Sequence, residues 1–343
     1  MDRRRRWRAL KERSAFYKLV ATADTWYDAK DFTTVGQQTL PNRGTGTNTL
    51  QRGSTDGVDT NDPLVALWDG TDYVRLPGTT GNSVTFPRPF ATTHFTILRA
   101  GDSTITGTTT ADPVVIGGTA HSGSVTSVVL RETDAAGAVG GTLDPSDLTG
   151  WTVNRSSSGL KTAVVTRPVM LFDGTDDYLQ TTDTPTYTHL AGKHTVVIMF
   201  APGGSTDYRV LYSTESAIRD GMRIISLTEG GDISIEVSGA DIGYGLTLNP
   251  LSNGTSLDRV VIAAVVDEGV LRGWSNVEGM TADISMAPAG TITHLAARLG
   301  ANAYDTGSAV DNEVFAVLIF SGEVLTEAEL DLISAKLRAG DYA

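Results

Sequence analysis

The chain has no cysteine among its 343 residues. That excludes a disulfide framework and any thiolate metal site, and it fits assembly in a reducing compartment. Proline is scarce, at 12 residues against 37 glycines, so turns must rest on Gly, Asp and Asn. No apolar run approaches the roughly 18 residues of a membrane-spanning helix. The first twenty residues, MDRRRRWRALKERSAFYKLV, are basic but lack the apolar core of a secretory signal. A protein of this kind working outside a cell is expected to leave by another route, such as on a particle released by lysis. Motifs of nucleophilic and phosphate chemistry are absent too: there is no G-x-S-x-G, no H-E-x-x-H and no P-loop. The five histidines, His94, His121, His189, His194 and His294, are scattered, and no pair has metal-ligand spacing on a helix.

Charge is present but lopsided. Formal net charge is −13. The first thirteen residues hold seven Lys/Arg and two Asp/Glu, a net of +5, which leaves −18 on the remainder. An acidic body argues against general nucleic-acid binding, and the split reads as a basic tether on an acidic globular part. Residues 2–20 read as a short helix, with Trp7, Leu10 and Tyr17 near helical spacing and Phe16 and Val20 beside them. Two roles stay open for it: packing on its own body, or docking as an arm on an acidic neighbouring subunit.

Beyond the arm, Gly, Thr and β-branched residues dominate, which points to an all-β fold. Residues 21–65 read as long loops between short strands. Residues 66–131 carry short strand patterns, among them YVRL, SVTF, HFTILRA and SVTSVVLRE. The stretch 133–147 is Gly- and Ala-rich and then turn-forming, and it marks a boundary. Ten strands are then predicted between 160 and 321, including TVVIMFA at 195–201, ISIEVS at 233–238, RVVIAAVV at 259–266 and VFAVLIFS at 314–321. Asp267-Glu268-Gly269 reads as a hairpin turn. The pattern predicts a jelly-roll β-sandwich. A helix over 326–339 closes the sequence. Thr326 and Glu329 form a capping box, Leu325 and Leu330 a staple, Leu330, Ile333 and Leu337 one stripe, and Gly340 a stop. The expected division is an arm at 1–20, a smaller β-rich domain at 21–145, and the sandwich with its terminal helix at 146–343; two readings of 21–145 stay open, a diverged second sandwich or an insertion-rich extension of one sandwich.

One phrase occurs twice. Val169–Asp183 reads VMLFDGTDDYLQTTD, and Ala66–Pro77 reads ALWDGTDYVRLP. Each has an Asp-Gly between apolar runs, a hairpin signal. The second copy, followed by VFAVLIFS (314–321) and LTEAELDLISAKL (325–337), resembles laminin-G-like domains of the concanavalin A-like lectin/glucanase superfamily. Together with GWTVNRSSSGLKTAVVTRPVMLFDGTDDYL (150–179) and YVRLPGTTGN (73–82), the chain resembles minor tail proteins of actinobacterial tailed phages.

The resemblance implies a structural virion protein of the tail or tail tip, assembled in the host cytoplasm in several copies per particle. The arm, through Arg3, Arg4, Arg5, Arg6, Trp7 and Arg8, would anchor it to other tail proteins. The sandwich would contact host cell-wall carbohydrate. A purely structural subunit without a glycan ligand is the alternative, and a polysaccharide-degrading enzyme the third reading. Glucan hydrolysis requires a placed carboxylate pair. Asp232, Glu236 and Asp241 are spaced by four and five, which does not set alternate side chains of one strand in a cleft, so an enzyme is not expected. Candidate sugar platforms are Trp151, Tyr187, Tyr208 and Tyr304, with Trp26, Tyr27 and Trp274 behind them; Trp274 lies in an apparent strand, where burial is expected. Ca²⁺ is the one ion the sequence admits, at Asp173, Asp176 and Asp177, or at Asp69/Asp72 or Asp56/Asp59/Asp62. Asp residues also serve turns directly. Neither nucleic-acid binding nor membrane insertion is expected.

Overall fold

The protein's structure, a computed structural model, describes residues 3–33, 37–53, the strands between 64 and 172, 178–182, 192–201, 209–216, 221–227, 232–239, 242–250, 260–286, 296–301, 303 and 313–340. Two helices, α1 (Arg3–Val20) and α2 (Glu327–Ala339), lie at the ends of a run of strands. First come β1 (Thr25–Asp28), β2 (Thr39–Leu40), β3 (Leu50–Arg52) and β4 (Leu64–Ala66). A middle group follows: β5 (Tyr73–Pro77), β6 (Ser83–Phe86), β7 (Thr93–Arg99), β8 (Ile105–Thr109), β9 (Val114–Gly117), β10 (Ser127–Thr133), β11 (Thr152–Asn154) and β12 (Ala163–Val165). The last group runs β13 (Val169–Leu171), β14 (Leu179–Thr181), β15 (Lys193–Ala201), β16 (Arg209–Ser213), β17 (Gly221–Leu227), β18 (Asp232–Gly239) and β19 (Ile242–Leu248). It ends with β20 (Val260–Asp267), β21 (Val270–Ser275), β22 (Gly279–Met280), β23 (Ile284–Ser285), β24 (Arg298–Leu299) and β25 (Glu313–Ser321).

Two large antiparallel sheets make a β-sandwich. The nine-stranded sheet runs β22-β21-β20-β15-β25-β13-β4, with β1 on β25 and β23 on β21. The eight-stranded sheet runs β19-β18-β17-β16-β24-β14-β3-β2. The reason for two sheets is visible in the residue pattern. In β15, Val196, Ile198 and Phe200 join Ile262, Ala264, Val317, Ile224 and Ile235 in the core between the sheets. The residues between them, Val197 and Met199, lie on the opposite face with Ala263, Val265, Leu318 and Phe320. That second face is covered by helices: Phe16 and Val20 of α1 and Leu330, Ile333 and Leu337 of α2 belong to the same cluster. The nine-stranded sheet is thus buried on both faces, which is why β15, β20 and β25 read as unbroken apolar runs.

The terminal helix forms as its residues predict. Thr326 caps it, with its hydroxyl taking the Glu329 amide and its own amide donating to the Glu329 carboxylate at 2.8 Å. Gly340 ends it in the left-handed region at φ 66°, a conformation nearly free for glycine. The hairpin at Asp267 also holds: β20 and β21 pair, and Glu268 and Gly269 both take positive φ, 46° and 93°, as a two-residue mirror-type turn requires. At the other end, α1 docks its last turn on its own body. Phe16 meets Trp26 edge to face at 6.0 Å, while Lys11 and the stretch 13–15 are exposed.

The Asp-Gly phrases depart from expectation. β13 belongs to the nine-stranded sheet and β14 to the eight-stranded one. The two strands therefore do not pair with each other as a hairpin, and residues 173–177 between them lie outside the described residues. The first copy likewise leaves β4 and enters β5, a strand of a separate five-stranded sheet, β12-β5-β10-β7-β8. An Asp-Gly pair marks a turn without fixing which strand the chain joins next.

Strand pairing also runs across the boundary placed near residue 145. β1 pairs with β25, β3 with β14 and β4 with β13. Between them, the chain from β5 to β12 pairs with itself. Leu64 faces Leu171, Tyr73 faces Val165 and Thr85 faces Thr152. The outgoing limb and the returning limb therefore keep nearly one antiparallel register from the sandwich outward, and the middle group enters and leaves the nine-stranded sheet at adjacent strands.

Candidate functional site

The outer face of the eight-stranded sheet is the side of the sandwich away from the two helices. Side chains alternate across a strand, so the register tells which residues share that face. Leu50, Leu179, Leu299, Tyr212, Ile224, Ile235 and Leu246 point into the core. Their neighbours in sequence form one row on the other face: Thr39, Gln51, Gln180, Arg298, Ser213, Arg223, Glu236 and Gly245, each directly opposite the next. Seven of the eight have polar side chains, and the row crosses all eight strands. At the usual strand spacing it is about 34 Å long.

Two groups organise the row. On one side Arg298 lies over the Tyr178 ring, 4.3 Å from its centroid, and its Nε donates to Gln180 Oε1 at 2.9 Å. The ring and the guanidinium attract each other by cation–π interaction. Gln51, Gln180 and Arg298 are each half-buried. On the other side Arg223 bridges two carboxylates. Its Nε donates to Glu236 at 2.7 Å, and a terminal nitrogen donates to Glu215 at 3.2 Å. The Arg223 side chain is 14% exposed and that of Glu215 only 2%. Ser234 also donates to Glu236, and the Glu215 amide donates to Ser213. Between the groups the face is covered: Ser213, and Val210 with Ile225 one row away, are fully buried.

Chemically, this is a surface of amide, hydroxyl and guanidinium groups held in fixed orientation. Such planar donors and acceptors match sugar hydroxyls. Glu236 of β18 and Glu215, two residues past the end of β16, form a carboxylate pair that linear spacing could not reveal. Both accept hydrogen bonds from one guanidinium, as partners in an ion pair.

The predicted site residues fall elsewhere. Trp151, Tyr187, Tyr208 and Tyr304, and Asp173, Asp176 and Asp177, lie outside the described residues, as do Asp56, Asp59, Asp62, Asp69 and Asp72. The side chains of Arg3, Arg4, Arg5, Arg6, Trp7 and Arg8 do so as well, although their backbone forms the start of α1. Trp26, Tyr27 and Trp274 are buried: Trp26 packs under α1 and Tyr27 in the core between the sheets, so none is a sugar platform. His194 is buried in β15 opposite Ser321. No group of three or more acidic, His or Cys side chains that could hold a metal occurs among the described residues. The row itself was missed because its members come from strands far apart in sequence, and β19 was not predicted at all. Its signal was present: Ile242, Tyr244, Leu246 and Leu248 alternate with Gly243, Gly245 and Thr247.

No protein-family model matches this chain, and no curated protein does. Among solved structures the chain is similar to the Ruminococcus gnavus IT-sialidase CBM40 bound to alpha2,3 sialyllactose, at 15% identity over 42% of this chain and 84% of that one, with a TM-score of 0.36. It is also similar to the K499G mutant of NanB sialidase from Streptococcus pneumoniae, at 18% identity over 41% of this chain and 24% of that one, TM-score 0.34. A third is the botulinum neurotoxin serotype D binding domain, at 8% identity over 49% and 42%, TM-score 0.40.

Proposed function

We propose that the chain is a structural protein of a phage tail that presents the outer face of its eight-stranded sheet to host cell-surface glycan. The glycan part is carried by the polar row, above all Gln51, Gln180 and Arg298 on Tyr178. The tail part rests on the resemblance of the Asp-Gly-Thr phrases and the strand-to-helix ending. In this reading the helices sit on the side away from the ligand. The basic start of α1 reaches other tail proteins, and weak affinity per copy is multiplied by avidity.

The test uses the full chain and intact actinobacterial cell walls, with Ca²⁺ and with EDTA. Saturable binding that falls at least tenfold in Gln51→Ala/Arg298→Ala is expected. Loss in EDTA would add a metal to the site. No binding from a folded sample under either condition would leave the subunit purely structural. Removal of residues 1–13 should abolish incorporation into particles while the melting curve stays unchanged, and normal incorporation would sink the anchor.

A further inference from the structure

Strand β19 ends the eight-stranded sheet. It pairs with β18 from Ile242 to Leu248, and among the described residues no strand lies on its other side. Other terminal strands of the two sandwich sheets are short: β2 and β22 have two residues each, and β4 has three. β19 has seven, IGYGLTL, with no charge and no proline. A long, uncharged edge is the kind that accepts another strand, and short strands, charges and prolines are the usual protection.

Gly245 sits at the centre of this strand. The register with β18 is continuous there, so no bulge demands a glycine. A Cβ at Gly245 would meet nothing nearer than Glu236 Cγ at 3.5 Å and the Ile235 carbonyl at 3.7 Å, which is ordinary contact, and the backbone is not left-handed. A single copy thus has no steric need for glycine at this point, although glycine weakens a strand interior. The remaining reason for glycine inside a strand is close approach of something from outside.

We propose that what approaches is β19 of a second copy, paired antiparallel about Gly245. The two eight-stranded sheets would then join into one of sixteen strands across a two-fold axis, a self-complementary interface. In this register Gly245 faces Gly245 of the partner subunit, Tyr244 faces the partner's Leu246, and Ile242 faces the partner's Leu248. The core-side row stays apolar, because Leu246 and Leu248 belong to the inner face and Tyr244 packs against it. On the outer side Gly243 faces the partner's Thr247, with no charge on either. The nearest like charges are the two Glu236 side chains, three strand spacings or about 14 Å apart. That exceeds the screening length of about 8 Å in physiological salt, and each is already held by Arg223. The polar row of one copy would continue into that of the other.

Sedimentation equilibrium on the full chain tests the pairing. A reversible dimer of the 36.3 kDa chain is expected. Gly245→Lys/Thr247→Lys should be monomeric, with unchanged circular dichroism and melting, because like charges then line both edges. The register has its own readout, since the chain has no other cysteine. Gly245→Cys should give a disulfide-linked dimer on mild oxidation. Thr247→Cys should cross-link at least tenfold less, because the two copies of position 247 lie beyond disulfide reach. A monomer at every concentration, a dimer unaffected by the lysines, or equal cross-linking at 245 and 247 would overturn the proposal. So would a monomer whose cell-wall binding is lost in Gly245→Lys, since the group approaching Gly245 would then be the ligand.

Discussion

Where β15 in the nine-stranded sheet carries Val197 and Met199, β18 in the eight-stranded sheet carries Ser234 and Glu236. The inward residues of the two strands are alike, Val196 and Ile198 against Ile233 and Ile235. All the difference lies in the other face, which is helix-covered in one sheet and carries the polar row in the other. Which sheet can touch a ligand is therefore written at every second residue. A strand apolar throughout belongs inside, and a strand that alternates offers one face to the surroundings.

Mutations should separate the two faces. Arg223→Ala is expected to have the largest effect, about 3–5 kcal/mol in chemical denaturation, because it removes the guanidinium that the buried Glu215 carboxylate accepts from. That result would break the simple contrast, since Arg223 lies on the polar face. A loss under about 1 kcal/mol would mean that other groups or water satisfy Glu215 without Arg223. Leu330→Ala should cost about 2–4 kcal/mol, as it opens the packing of α2 on the nine-stranded sheet; an unchanged melting curve would mean that the helix contributes nothing to the body. Gln180→Ala on the polar face should stay within about 0.5 kcal/mol of the parent and yet weaken cell-wall binding, which is what a ligand-facing position requires.

The smallest effect concerns pH. Hydrogen bonding to Arg272 holds the Asp283 carboxyl below its ordinary value, and Asp283 in turn raises Arg272. A carboxylate depressed in this way stabilises the fold above its unfolded value of about 3.9 and loses that contribution as pH falls through the lower folded value. Asp283 is exposed, so Asp283→Asn should leave the melting temperature at pH 7 unchanged within error. A clear drop would show that this pair matters more than an exposed ion pair should.

Much of the sandwich was legible from periodicity. The strands at 193–201, 209–213, 221–227, 260–267 and 313–321 fall within about two residues of the apolar runs that predicted them, because strands buried on one or both faces need such runs. The capping box, staple and stop of α2 are local signals and came through whole. Pairing was not legible. Nothing in TWYD announces that β1 lies beside β25, with Thr25 opposite Ile319, since register between distant strands is settled by packing. The same limit hid the polar row: Gln51, Gln180, Arg298 and Arg223 come into one row only when β3, β14, β24, β16 and β17 have assembled. β19 was passed over because two glycines lower its strand propensity, although its alternation was intact.

The position of β25 has a consequence for the order of synthesis. It pairs with β1, β13 and β15, so it is the strand on which the nine-stranded sheet converges, and it is translated after more than 300 residues of this chain. Until Ser321 has been made, β1 has no strand to join and β15 lacks one of its two neighbours. β15 can pair with β20 and β13 with β4 in the meantime, but the sheet stays open between them. Contacts spanning nearly the whole chain make folding slow and leave strand edges open meanwhile. The interval most open to mispairing is the one before β25 arrives.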